Sequence, residues 1–140
     1  MASNYTENFN LCQWSAEDPV LREDFNADNA KLDAALALFP QLVFGSYTGD
    51  GTATRTIPLD FTPRALFVVG PSGTSCQHSG GSTMHFGGLV LPGKPARDTY
   101  QKRIILEICE NGFNVGYDVE NMIYIYSNAD GCEYRYIAIR

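Results

Sequence analysis

The 140-residue chain has no Cys-x-x-Cys pair, no Gly-x-Ser-x-Gly turn, no basic stripe, only two histidines and no apolar run approaching a membrane span. Each absence removes a class of function. A helical span needs roughly 18 to 20 apolar residues in a row, and the start "MASNYTENFNLCQ" lacks the basic and apolar regions of an export signal. Together these predict a soluble chain with no membrane insertion, not exported by the usual route. Cys12, Cys76, Cys109 and Cys132 are widely spaced and are expected as free thiols in a reducing cytoplasm. Without clustered Lys and Arg to neutralise phosphates, nucleic acid is not an expected partner.

Chemistry finds little to stand on. Ser79 beside His78, with Asp98 further on, supplies the residue types of a nucleophile, a base and an orienter, but nothing in the spacing brings them together. Asp60, Asp98, Glu107 and Glu110 could be searched for a glycosidase pair, yet Glu107 and Glu110 read as outward strand and turn charges. Cys76, His78 and His85 could ligate a metal, but their spacing matches no familiar zinc pattern, and loop or packing roles are the simpler reading. No enzyme activity, metal or cofactor is expected.

What is present is unevenly distributed. Residues 1–40 hold seven acids against Arg22 and Lys31, a net charge of −5, whereas residues 41–140 carry nine acids and eight bases. The acid is at the front, either as a partner surface or as a solvated helix face. Within "DPVLREDFNADNAKLDAALALFP", Asp18 before Pro19 offers a cap, Asp24 offers a second start, and residues 30–39 are predicted helical. Phe25, Asn29, Leu32, Leu36 and Phe39 follow at spacings of 4, 3, 4 and 3. That is the pattern of a coiled-coil seam with one polar register residue, or of one amphipathic helix packed on its own domain. Trp14, the lone tryptophan, is a candidate anchor to a neighbouring protein unless it packs back on its own unit.

After Pro40 the period changes from about 3.6 to 2, and no further helix is expected. "LVFGSYTG", "TATRTIPLDF", "RALFVVG", "GGLVLPG", "KRIILEI", "GFNVGYDV", "MIYIYS" and "CEYRYIAI" are eight short strands punctuated by "GDG", "TP", "ENG", "EN" and "NADG". The fold expected is mostly β: a short N-terminal α-helix (residues 1–40), then an antiparallel β-sandwich or barrel-like head (residues 41–140). "FGSYTGDGTATRTIPLDFTPRALFVV" reads as a β-meander whose "GDG" permits positive φ in a hairpin, with Pro63 leading into a buried run. In "KRIILEI", strict alternation would place Ile104, Leu106 and Ile108 on one face and Ile105, Glu107 and Cys109 on the other. Tyr124 and Tyr126 are expected to pair across "NADG" with Tyr134 and Tyr136 as one aromatic face, a lectin-like surface or a trimer interface.

The run at residues 44–69, the later "GGLVLPG", the "ICENGFNVG" hairpin and the terminal "GCEYRYIAIR" resemble the small β-domains that end tail-fibre, baseplate and related appendage proteins of bacteriophages and prophages. "DFNADNAKLDAAL" likewise resembles the short attachment helix near the start of many such proteins. The resemblance implies a virion structural protein, assembled in the bacterial host cytoplasm, that trimerises and contacts other virion proteins. The role it implies is either a tail-tip or fibre component presenting its head to a host glycan or protein, or a decoration, head-fibre or plug protein touching only virion neighbours. Residues 70–100 break the strand rhythm and hold seven of the thirteen glycines. Long exposed loops carry binding, so His78, His85 and Tyr100 are the candidate receptor contacts.

Overall fold

Pro40 closes the one helical stretch among the described residues, 1–120 and 122–140, of the computed structural model, and the chain divides there into Met1–Pro40 and Gln41–Arg140. In the first unit, β1 (Asn4–Tyr5) and β2 (Cys12–Gln13) pair antiparallel ahead of α1 (Arg22–Ala37). The helix is therefore not N-terminal, as expected, but follows a hairpin. Asp18 does not cap it: its carboxylate accepts the Ser3 N–H at 2.9 Å, the Ser15 N–H at 2.8 Å and the Ser3 hydroxyl. The cap residue is Leu21, which offers no side-chain bond, while Glu23 and Asp24 complement the positive end of the helix dipole. The helix stops short of the expected Phe39, because the residue before a proline is driven out of the α region.

The second unit contains all eight expected strands: β3 (Leu42–Thr48), β4 (Thr54–Pro58), β5 (Ala65–Val69), β8 (Gly88–Val90), β10 (Ile104–Cys109), β11 (Gly112–Glu120), β12 (Ile123–Tyr126) and β13 (Glu133–Ile139). Three more lie within residues 70–100: β6 (Cys76–Ser79), β7 (Ser82–His85) and β9 (Ala96–Arg97). The expected long loop is thus interrupted by short paired strands. A four-stranded antiparallel sheet runs β3-β13-β5-β8, and a seven-stranded one runs β6-β7-β12-β11-β10-β9, with β4 also pairing with β11. The larger sheet is mixed and not purely antiparallel, because β7 and β12 run parallel, Ile123 opposite Thr83. Leu66, Val68, Val90, Tyr134 and Ala138 from the smaller sheet and Leu106, Phe113, Val115 and Ile125 from the larger meet in one core.

Strand pairing departs from the expected meander. β3 pairs with β13 and β4 with β11, so "GDG" is a corner at which the chain leaves one sheet for the other; Gly51 supplies the positive φ of +72°. "NADG" is a second corner: β12 pairs with β11 and β7, while β13 pairs with β3 and β5. The four tyrosines therefore form no common face. Tyr126 stacks on Tyr117 at 5.5 Å, whereas Tyr134 is fully buried and stacks on Tyr47 at 4.9 Å. "ENG" is a true hairpin, Cys109 opposite Gly112 with Asn111 at a φ of 54°. Of the "EN" turn at residues 120–121, Asn121 lies outside the described residues. Alternation also fails in β10: its register against β9 shifts between Ile104 and Leu106, and the neighbours Ile105 and Leu106 are both buried.

The two corners lock together. Asn128, fully buried, donates through Nδ2 to Asp50 Oδ1 at 2.7 Å and to the Thr52 carbonyl at 3.0 Å, and its Oδ1 accepts the Asp50 N–H. Gly51 N–H donates to the Asn128 carbonyl and Gly49 N–H to that of Cys132, both at 2.8 Å. The Tyr47 hydroxyl donates to the Ser127 carbonyl at 2.6 Å, and that of Tyr134 donates to the Tyr126 carbonyl and accepts the Ala129 N–H. Burial pushes the Tyr134 hydroxyl up to about 12 and raises that of Tyr47 as well, so both stay protonated donors. Asn128→Ala leaves several buried groups unpaired and should cost roughly 2 kcal/mol, and Tyr134→Phe about 1 kcal/mol. Chemical denaturation of the full chain checks both; equal midpoints for wild type and Asn128→Ala would show that the corners do not hold the fold.

Candidate functional site

Period-2 strands normally put apolar side chains inward and polar ones outward, but the smaller sheet is apolar on both sides. Inward stand Tyr47, Leu66, Val68, Val90, Tyr134 and Ala138. Outward, one cross-strand row joins Phe44 to Ile137, Ile137 to Phe67 and Phe67 to Leu89. A second row joins Leu42 to Ile139 and Ile139 to Ala65. Phe44 is 69% exposed, Leu89 63% and Leu42 56%. A depression of about 310 Å³ opens beside Phe44, Phe67 and Tyr136. Tyr136 lies across Gly45, whose missing side chain leaves room for the ring. Arg135 borders the depression and is tied to the Pro71 carbonyl at 2.9 Å. Sequence reasoning missed this face, although the unbroken "ALFVV" and the pair Ile137 and Ile139 signal strands apolar on both sides.

The first unit exposes apolar side chains too. On α1, Phe25, Leu32 and Leu36 are exposed, as is the polar Asn29 between them, and Phe39 is exposed beyond the helix end. Trp14 is half-buried and stacks on Phe25 at 5.0 Å. The helix buries instead a charge, Asp28, whose carboxylate accepts the Cys12 N–H at 2.7 Å and Lys31 Nζ at 3.0 Å. Burial pushes the Asp28 carboxyl up, but the Cys12 and Lys31 hydrogen bonds outweigh it and the net shift is downward. The hairpin is thus held to the helix through a carboxylate, which leaves Leu32 and Leu36 uncovered.

The three receptor candidates occupy different environments. His78 is exposed on the edge strand β6, its Nδ1 bonded to Thr83 Oγ1 at 2.9 Å. His85 is only 8% exposed, lies opposite Cys76 in the β6–β7 register, and has Nε2 buried without a partner. Burial is the main cause that lowers the His85 pKa, so its ring is neutral. Tyr100 is 70% exposed, in a turn organised by Asp98. All four cysteines are unbonded, and among the described residues no three His, Cys, Asp or Glu side chains converge as a metal site.

Asp98 is fully buried and accepts the N–H groups of Tyr100 at 2.9 Å, Gln101 at 2.7 Å and Arg103 at 2.8 Å, with Arg103 Nε at 3.4 Å. Arg103 continues to Asp118 and to the Ile123 carbonyl, each at 2.6 Å. The Asp98 carboxylate is thus spent on closing a turn, and neither it nor Thr83-bound His78 is positioned as part of a nucleophile–base–orienter set.

Comparison with protein-family models, with curated protein sequences and with solved structures finds no significant match to this chain.

Burial works to raise the Asp98 pKa, but the N–H groups around it and Arg103 more than offset this and hold it below the usual carboxylate range. A depressed folded-state pKa adds stability that is complete above the unfolded value of about 3.9 and is lost as pH falls through the lower folded value. Thermal melts between neutral and acid pH should therefore show an acid limb that Asp98→Asn flattens. Arg103→Met, which strips a buried carboxylate of its cation, should cost roughly 3 kcal/mol at neutral pH. An unchanged acid limb in Asp98→Asn would remove Asp98 from the account of acid stability.

Proposed function

We propose that the protein is a non-enzymatic structural component of a bacteriophage virion, of the tail-tip or fibre type. It attaches through its first unit and presents its β unit, self-associated as a trimer, towards the host surface. The observation that carries the reading is the outward apolar row Phe44–Ile137–Phe67–Leu89. Covering a Phe or Leu side chain stabilises by roughly 1.5–3 kcal/mol, so a face of this kind marks a surface that is covered in use. Virion appendages repeat one chain around an axis, and a second copy of the same chain is the occupant always present at matching concentration. The exposed Leu32, Leu36 and Phe39 give the acidic first unit its own apolar surface for a neighbouring virion protein or for the same helix in other copies. The resemblance of residues 44–69 and of the helix to phage appendage proteins points the same way.

One observation favours the alternative, a decoration, head-fibre or plug protein that contacts only virion proteins. Residues 70–100 carry four short paired strands, with His85 buried, which suits packing better than an adaptable receptor loop.

Mass photometry of the full chain should give a trimer. Phe44→Lys combined with Leu89→Lys should give a monomer of nearly unchanged melting temperature, since exposed sites typically move stability by no more than about 0.5 kcal/mol. A wild-type monomer at micromolar concentration would sink the self-association. Removal of residues 1–40 should abolish incorporation into particles while residues 41–140 stay folded on their own core; normal incorporation would overturn the attachment role.

A further inference from the structure

The edge of a sheet presents main-chain donors and acceptors that no neighbouring strand meets, and it recruits other chains unless it is short, charged, bulged or broken by proline. The order β3-β13-β5-β8 puts β3 and β8 at the edges of the smaller sheet, while β6, β9 and β4 border the larger one. Four of these strands are blunted. β8 has three residues, with Pro92 close behind it; β9 has two, one of them Arg97; β6 has four; and β4 carries Arg55 and ends on Pro58. β3 is different. Its seven residues, Leu-Val-Phe-Gly-Ser-Tyr-Thr, include no charge and no proline, and its register against β13 is unbroken.

The register also shows which groups of β3 are free. Antiparallel partners alternate between pairs that exchange two main-chain bonds and pairs that exchange none. Arg140 N–H donates to the Gln41 carbonyl at 3.0 Å and Gly49 N–H to that of Cys132 at 2.8 Å, so Gln41, Val43, Gly45, Tyr47 and Gly49 turn their N–H and C=O groups towards β13. Leu42, Phe44, Ser46 and Thr48 turn theirs away from it. At one end the Thr48 carbonyl is taken by Arg55 Nη1 at 2.6 Å, and at the other Pro40 has no N–H. The open stretch is therefore Leu42–Ser46, centred on Phe44, and Leu42, Phe44 and Ser46 are all exposed.

We propose that this edge pairs with the same edge of a second copy: the two β3 strands lie antiparallel about a two-fold axis at Phe44, with Phe44 opposite Phe44 of the second copy and Leu42 opposite its Ser46. Three features select that occupant. The open stretch is symmetric about its centre, so each free N–H meets a free C=O and about six main-chain bonds form. The strand carries no charge to repel its own copy. The outward row Leu89–Phe67–Ile137–Phe44 runs to the axis and continues into the same row of the second copy, with the two Phe44 rings as cross-strand neighbours. Seven residues a side, against roughly 20–30 in a standard interface, make the contact weak in solution, with a Kd of about 100 µM. It goes beyond the proposed trimer and does not rest on it, since the trimer covers side chains of the face and this pairing uses main chain at its rim.

Residue-resolved amide exchange on the full chain tests the pairing. Leu42, Phe44 and Ser46 should exchange fast in dilute solution while Val43, Gly45 and Tyr47 stay protected by β13. Between about 10 µM and about 500 µM, exchange at Leu42, Phe44 and Ser46 should slow about threefold, as the paired fraction rises. Ser46→Pro removes a free N–H and no bond to β13, so the fold should persist and the slowing at Leu42 and Phe44 should vanish. Ser46→Lys, which charges the edge, should act in the same way where proline disturbs the strand. Leu89→Lys lies at the opposite edge of the sheet and should keep the slowing. No slowing at Leu42 and Phe44 up to about 500 µM, slowing that survives both Ser46 variants, or slowing lost in Leu89→Lys would each overturn the assignment. Mass photometry reads the trimer at concentrations far below those at which the edges pair, so either contact can fail without the other.

Discussion

Two sheets with one core need places where the chain passes from one to the other, and every such passage takes backbone groups out of a ladder. Here the passages at residues 49–52 and 127–132 are set against each other, so that each supplies what the other has lost. Asn128 stands at the junction. Its amide bonds Asp50 and Thr52, while the adjacent Ser127 hydroxyl bridges the Ile105 carbonyl at 2.7 Å and the Gly116 N–H at 2.9 Å. An unpaired buried amide or carbonyl costs more than a typical hydrogen bond returns, so the arrangement is needed as a whole. Strands β3 and β13, which leave these corners together, then pair along their full lengths, Glu133 opposite Thr48 through Ile139 opposite Leu42.

The strands were legible because their apolar period of 2 and their turn residues are local signals. Pairing is not local. A glycine with positive φ serves a corner as readily as a hairpin, so Gly51 in "GDG" and Gly131 in "NADG" mark a change of direction without naming the next partner. β6 and β9 carry Cys-Gln-His-Ser and Ala-Arg, too short and too polar to show a pattern, and they exist because the neighbouring strands present open edges. The helix was found by its apolar spacing, and of its two candidate starts Asp24 lies in the observed first turn, whereas Asp18 has the chemistry of a cap but is claimed by Ser3 and Ser15.

The sites were less legible than the fold for the same reason. The helix residues Phe25, Leu32 and Leu36 could be picked out because exposure there follows from spacing along one element. Tyr126 could be picked out, but its companions Phe86 and Tyr117 come from other strands of the larger sheet, and only the β7–β12–β11 order sets them side by side. Asp98 was noticed as a carboxylate. Its role in gathering three N–H groups and Arg103 depends on a turn geometry that no residue count reveals.

Within residues 41–140 the outward apolar row of Phe44, Ile137, Phe67 and Leu89 shares no residue with the two corners. The row itself carries no polar side chain, so a surface of similar shape and apolarity suits it best. On the proposed assembly, the smaller sheet's second apolar face would hold copies together, and the corner loops, joined to each other through Asn128, would stay outside that contact.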